Sequence, residues 1–174
     1  MKIAAIVVGL LIVLIAGVVV VGFLLPKRHV VSRRASFRAA PERLFALIAG
    51  SQEWRPDVQS CAMIVEPDGR QFQRETSKQG ETILYQLEGT EAPHRIQRRI
   101  ATENLPYGGS WSFTIEPSGA GGDARTMVQI TEDGEVYNPI FRFVSKFILG
   151  QTHTIDAYLK AMASNVGEQI QIED

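Results

Sequence analysis

The chain is poor in the residues from which reactive sites are usually assembled. Its single cysteine, Cys61, excludes an internal disulfide and any cysteine zinc cluster, and leaves the redox compartment open. The three histidines, His29, His94 and His153, stand far apart without ligand spacing, so no metal site is expected. A Ser/His/Asp set with supporting context, a phosphate loop and a dinucleotide fingerprint are all missing from the sequence, and no cofactor is implied. Internal repeats are missing too. Basic residues are scarce beyond the start: Lys2, Lys27, Arg28, Arg33, Arg34 and Arg38 are six of the 18, which leaves 12 against 19 acidic ones, a balance of −7. Nucleic acid calls for a basic face, so it is excluded as a partner.

What the chain does have is a long apolar run. Ile3 to Leu25 reads IAAIVVGLLIVLIAGVVVVGFLL, without a charge or a strong polar group. At about 1.5 Å per residue it covers roughly 34 Å, enough for a hydrocarbon layer of about 30 Å. A cleaved secretory signal is the rival, but such signals carry an apolar stretch of about 7–15 residues before a small-x-small site. This run is longer and ends in GFLLPKRH. The expectation is an uncleaved anchor with the bilayer as partner through residues 3–25. The basic residues crowd the far side of the span, with no acid before Glu42. Positive flanks favour the cytoplasmic side, which places the body of the chain there. The same residues can also rest on anionic headgroups, at about 1 kcal/mol each.

The body begins with an extended piece, Val31 to Ala39. Pro41 then suits the first turn of a helix, Glu42 suits its dipole, and Leu44, Phe45, Leu47 and Ile48 give one buried stripe up to Gly50. A second short turn, Gln52 to Arg55, is capped by Ser51 and ended by Pro56. From there the pattern has period two, with strands near Val58–Glu66, Gln71–Ser77, Thr82–Thr90, Arg95–Glu103, Ser110–Glu116 and Thr126–Val136. The gaps PDGR, KQGE, EAPH, NLPYGG and PSGAGGDA carry turn chemistry, and gaps this short imply antiparallel pairing. A final helix is expected from about Pro139 to Glu168, with Gly150 inside it as a point of bending or close approach. It is the element able to cover the apolar face of the sheet. The tail QIQIED is expected to fray.

Strand parity names the inward residues. With Trp111, Phe113 and Ile115 facing in, so do Val128, Ile130 and Glu132; Ile96 and Ile100 bring Arg98, Phe72 brings Arg74, and Tyr85 sits between Ile83 and Leu87. Charges inside must pair, meet a polar ligand head or reach the mouth, unless a bulge turns them to solvent. Phe141, Phe143 and Phe147 are too dense for one buried stripe; they pack in the core, form a lip at a cavity mouth, or touch the bilayer.

The stretches AAPERLFALIAGSQEWRPDV, WSFTIEPSGAGGDARTMVQITEDGEV and NPIFRFV…AYLKAM, in this order, resemble the START-like superfamily that includes Bet v 1 and the bacterial polyketide cyclase/dehydrase and lipid-transport proteins (the SRPBCC group). The resemblance covers roughly residues 30–168. It implies an α+β helix-grip fold, in which an antiparallel curved sheet of about seven strands wraps a long C-terminal helix, here preceded by one transmembrane helix. Residues 1–29 would be the anchor and basic stalk, and 169–174 a tail.

It further implies a cavity between sheet and helix for a lipid or other small hydrophobic molecule. Phe72, Arg74, Tyr85, Arg98, Trp111, Phe113, Glu132 and Phe147 are its candidate lining. Trp54-Arg55-Pro56 becomes a structural corner that plugs one end, in preference to a ligand contact. The expected function is non-catalytic binding at a bacterial-type inner (plasma) membrane, crossed once, with the domain in the cytoplasm. The alternatives are a cyclase or dehydratase using Glu132, Tyr85 and Arg98, and an interaction domain whose cavity is filled by its own side chains.

Overall fold

A computed structural model of the chain describes residues 2–119 and 124–174. Its first element, α1 (Lys2–Leu24), exposes large apolar side chains on every side, as an unbroken run of hydrophobic residues must when no protein layer surrounds it. After it come β1 (Arg28–Phe37) and α2 (Pro41–Ala49), then β2 (Val58–Val65), β3 (Gln71–Ser77), β4 (Thr82–Glu91), β5 (Arg95–Ile100), β6 (Tyr107–Ser118) and β7 (Arg125–Val136). The chain ends with α3 (Pro139–Val144), a π-helical turn (Ser145–Leu149), α4 (His153–Val166) and β8 (Ile172–Glu173). The strands form one antiparallel sheet in the order β2-β3-β4-β5-β6-β7-β1-β8. The glycine-rich part of the predicted turn between β6 and β7, residues 120–123, lies outside the described residues.

The core sits where α2 and α4 cover the β1–β6–β7 part of the sheet. Phe37, Ile96, Phe113, Ile115, Val128 and Ile130 meet Leu44 and Ile48 of α2 and Ile155, Leu159 and Met162 of α4, all fully buried. Each such side chain contributes roughly 1.5–3 kcal/mol through its removal from water. Polar contacts tie down α4 at both ends. In its first turn Asp156 accepts from Arg33 at 3.0 Å, and just past its last turn Glu168 accepts from the backbone N–H groups of Arg38 and Ala39 at 2.6 and 2.9 Å.

Three expectations need correction. The C-terminal helix is not continuous from 139 to 168. Gly150 has φ 81° and ψ 140°, a conformation closed to residues with a Cβ, and it separates the π-helical turn from α4. The tail does not fray, because Ile172 and Glu173 pair with Ala35 and Arg34 of β1, and Arg34 and Arg33 hold Glu173 and Asp174. A single short helix, α2, lies between β1 and β2; in place of a second there is a turn closed by the Arg55 N–H donating to the Gln52 carbonyl at 3.0 Å.

α3 turns away from the sheet and lies against α1. Asn138 caps it, accepting from the N–H groups of Ile140 and Phe141 at 2.9 and 3.3 Å. A Cβ on Gly22 would stand 2.0 Å from the Pro139 carbonyl oxygen, so glycine is what allows the two backbones to meet.

Candidate functional site

Register sets the inner face of the sheet. Leu87, Arg98, Trp111, Glu132 and Val31 stand in one row across β4, β5, β6, β7 and β1. Met63, Gln73, Tyr85 and Ile100 form a second row across β2 to β5. The first row joins the covered core at Trp111 and Leu87, which pack against it while staying half-buried.

In β3 the inward residues are Gln73 and Glu75, both buried, and not Phe72 and Arg74. Parity inferred from the apolar Phe72 therefore fails here. Phe72 is buried on the opposite face, with the Arg70 guanidinium 5.6 Å from its ring, and Arg74 is exposed. The physical reason is that the interior at this point needs polar groups. Arg98, only 4% exposed, donates to the Glu75 carboxylate, and Arg55 donates to its other oxygen at 3.0 Å. A buried arginine without such a partner would cost several kcal/mol.

Aromatic rings enclose this cluster. The Arg98 guanidinium lies 4.4 Å from the Tyr85 ring centre, and that of Arg55 lies 5.3 Å from the Tyr158 ring centre. Tyr158 in turn meets Trp54, Trp111 and Phe113 at 5.3, 5.6 and 5.4 Å between ring centres. Burial pushes the Tyr85 hydroxyl up to about 12, with the nearby Glu75 charge adding to it and the two arginines opposing it. Burial also raises Tyr158, whose hydroxyl donates to Gln52 Oε1 at 2.9 Å. Two buried polar atoms in this neighbourhood, Arg98 Nε and Gln73 Oε1, have no hydrogen-bond partner among the described residues.

The Trp-Arg-Pro corner also explains how α2 ends inside the protein. A helix leaves its last four carbonyls without internal partners. Here the Ala46 carbonyl accepts from the Gly50 N–H, and that of Leu47 accepts from Trp54 Nε1 at 3.0 Å and Gln52 Nε2 at 2.9 Å. Gln52 Nε2 also serves Ile48, and Gln73 Nε2 reaches Ala49 at 3.0 Å. Arg55, from the same corner, reaches back to Glu75. Neither Gln52 nor Gln73 stood out in the sequence, since a buried glutamine carries no periodic mark.

Glu132 belongs to a different group. It accepts from Trp111 Nε1 at 3.0 Å and from Thr154 Oγ1 at 3.4 Å, and His29 Nε2 lies 3.2 Å from its other oxygen. Trp111 thus stands between the Arg98–Tyr85–Glu75 group and the Glu132–His29–Thr154 group, so the three residues weighed for acid–base chemistry do not share hydrogen bonds. Phe113 is buried in the core, and Phe147 lies exposed on the π-helical turn.

Past the start of α4 the inner face continues with half-buried Tyr85, Ile100 and Tyr107. Tyr107 donates to Glu81 at 2.9 Å. A cleft of about 480 Å³ opens around the β5–β6 turn, with Ile100, Asn104, Tyr107, Glu135 and Tyr137 among its walls. Such a volume falls within the range of small-molecule sites, roughly 300–1,000 Å³.

A family model described as polyketide cyclase / dehydrase and lipid transport matches residues 28–167. Among curated proteins, none matches the sequence. In three dimensions the chain is similar to a START superfamily protein from Mycobacterium smegmatis, with a TM-score of 0.60, 19% identity, and coverage of 80% of this chain and 97% of that one. A truncated norcoclaurine synthase from Thalictrum flavum gives a TM-score of 0.60 at 13% identity, covering 82% and 95%. The Bacillus cereus protein XoxI gives 0.55 at 16%, covering 83% and 100%. At these identities the likeness is one of fold.

Proposed function

Because the chain belongs to the polyketide cyclase/dehydrase and lipid transport family, we propose that it holds a lipid or other small hydrophobic molecule against the inner face of its sheet, without transforming it, while anchored in a bilayer by α1. One observation carries the ligand reading: beyond the helical cover, the inner face keeps Tyr85, Leu87, Ile100 and Trp111 half-buried beside the buried Glu75–Arg98 pair. Apolar walls with a few fixed polar groups are the usual composition of a small-molecule site. Beneath α4 itself the layer is filled by Phe113, Ile155, Tyr158, Leu159 and Met162, so the seat lies at the β4–β5–β6 end. The cleft that shares Ile100 and Tyr107 is its mouth. The buried Arg98 Nε and Gln73 Oε1 form the polar end, where a hydroxyl of the ligand would find both a donor and an acceptor.

Anchoring draws on α1 being long, apolar and exposed all round. A retained span is favoured over a cleaved leader because the body of the protein grips it. Gly22 meets Pro139, and Arg142 donates to the carbonyls of Gly22 and Leu25, both at 3.0 Å. With the basic residues on its far side, the domain stands in the cytoplasm.

The test is to reconstitute the full chain in nanodiscs of known lipid mixture together with host lipid extract, then analyse what remains bound by mass spectrometry. One compound enriched over the surrounding bilayer, and lost in Ile100→Trp, is the expected result. Identical extracts from both proteins would remove the binding reading. A compound returned chemically altered would instead favour catalysis.

A further inference from the structure

The segment from Tyr137 to Leu149 uses its apolar residues in an unusual way. Ile140, Phe141, Phe147, Ile148 and Leu149 are 46, 52, 56, 67 and 58% exposed, five large hydrophobic side chains within ten residues. Phe143 is half-buried, its ring tilted against that of Phe147 at 5.0 Å between ring centres. Water is a poor surrounding for so dense a patch, and patches of this kind mark contact surfaces.

Position decides what covers it. The segment is bolted to the last turn of α1: Gly22 touches Pro139, and the buried Arg142 donates to the Gly22 and Leu25 carbonyls and, at 3.0 Å, to that of Tyr137. These contacts fix the patch beside the end of a helix that is apolar along its whole length. At about 1.5 Å per residue, Gly22 lies within roughly 5 Å of the point where that helix ends. A cation also belongs to the patch, since Lys146 Nζ lies 5.8 Å from the Phe147 ring centre. Exposed aromatic and aliphatic residues beside a lysine, at the level where a span leaves the hydrocarbon, are the composition of an element that lies in the interface plane.

We propose that residues 139–149 form a second membrane element, an interfacial foot whose Phe141, Phe147, Ile148 and Leu149 enter the headgroup–acyl boundary next to α1. Arg142 also has a use in this setting. The C-terminal carbonyls of a span have no internal partners, and a guanidinium among them satisfies them and complements the negative end of the helix dipole. The foot therefore sets the tilt and rotation of the domain, which a single flexible tether would leave free. This inference rests on α1 spanning the bilayer.

The test uses the full chain with Cys61→Ser, reconstituted in phosphatidylcholine/phosphatidylglycerol vesicles. Ile148→Cys, Met63→Cys and Val13→Cys are each labelled with an environment-sensitive fluorophore, and vesicles with and without spin-labelled lipid are compared. Ile148 and Met63 are both exposed, so neither label should disturb folding. The expected result is blue-shifted emission and quenching by shallow spin labels at residue 148, quenching by deep labels at residue 13, and water-like emission at residue 63. Water-like emission at 148 with quenching at 13 overturns the foot and leaves the anchor standing. Water-like emission at both overturns the two together. A blue shift at 148 without lipid quenching means that a second copy covers the patch, and it also overturns the proposal.

Discussion

The two halves of the sheet's inner face fill the same layer with different chemistry. The β1–β6–β7 half buries hydrocarbon: Phe37, Phe113, Ile115, Val128 and Ile130 close against α4. The β3–β4–β5 half buries Glu75, Arg98 and Gln73 under aromatic rings. Hydrocarbon packing tolerates exchange among side chains of similar size. A buried ion cluster tolerates loss of a partner badly, and what it adds is a fixed pattern of donors and acceptors. The first half therefore holds the protein together, and under the proposed function the second is where a bound molecule would be recognised.

The sharpest way to break the contrast is Glu75→Gln. It leaves Arg98 without a counter-charge at 4% exposure, and the expected loss is about 3–5 kcal/mol, read from urea denaturation of the full chain in micelles. The double replacement Glu75→Leu with Arg98→Met should cost clearly less than the sum of its singles, with a coupling of about 0.5–3 kcal/mol. Additive losses would mean that the pair does not act as a unit. In the other half, Leu159→Ala is expected to cost about 2–5 kcal/mol without any such coupling to residue 98.

Gly150→Ala comes next at about 1–3 kcal/mol, since φ 81° with ψ 140° is a glycine conformation, and it should act by shifting the start of α4. The smallest expected effect concerns alkali. The Tyr85 hydroxyl is raised in the folded chain from its ordinary 10.0 to about 12, so its contribution to stability is full below pH 10 and is lost as pH rises through 12. Tyr85→Phe should flatten the fall in denaturation midpoint between pH 10 and pH 12. It should not abolish the fall, because the buried Tyr158 hydroxyl is raised as well. An unchanged slope would place Tyr85 in contact with water.

Much of this fold was legible from residue pattern alone. Pro41 opening α2, the run of short strands and the inward Trp111, Phe113, Val128 and Ile130 all follow from periodicity and turn chemistry. Periodicity failed where the interior is polar. In β3, Gln73 and Glu75 point in because the carbonyls of α2 and the guanidinium of Arg98 require them, and nothing in QFQRETS announces distant partners. Continuity of the last helix failed for a related reason. The apolar spacing runs across Gly150, but the part before it is matched to α1 and the part after it to the sheet. Tail pairing was hidden by brevity, because β8 is two residues long.

The clasp of Arg142 and Gly22 on the last turn of α1 has a mechanical consequence. A head joined to its stem by a loose cord samples a hemisphere; one bolted at the neck keeps a constant heading. With α1 spanning a bilayer as proposed, whatever approaches such a head must do so from a defined bearing, and its search for partners becomes two-dimensional, governed by lateral drift rather than by swing. Loosening the neck with Arg142→Ala would turn a directed device into a tumbling one, with the scaffold above it unchanged.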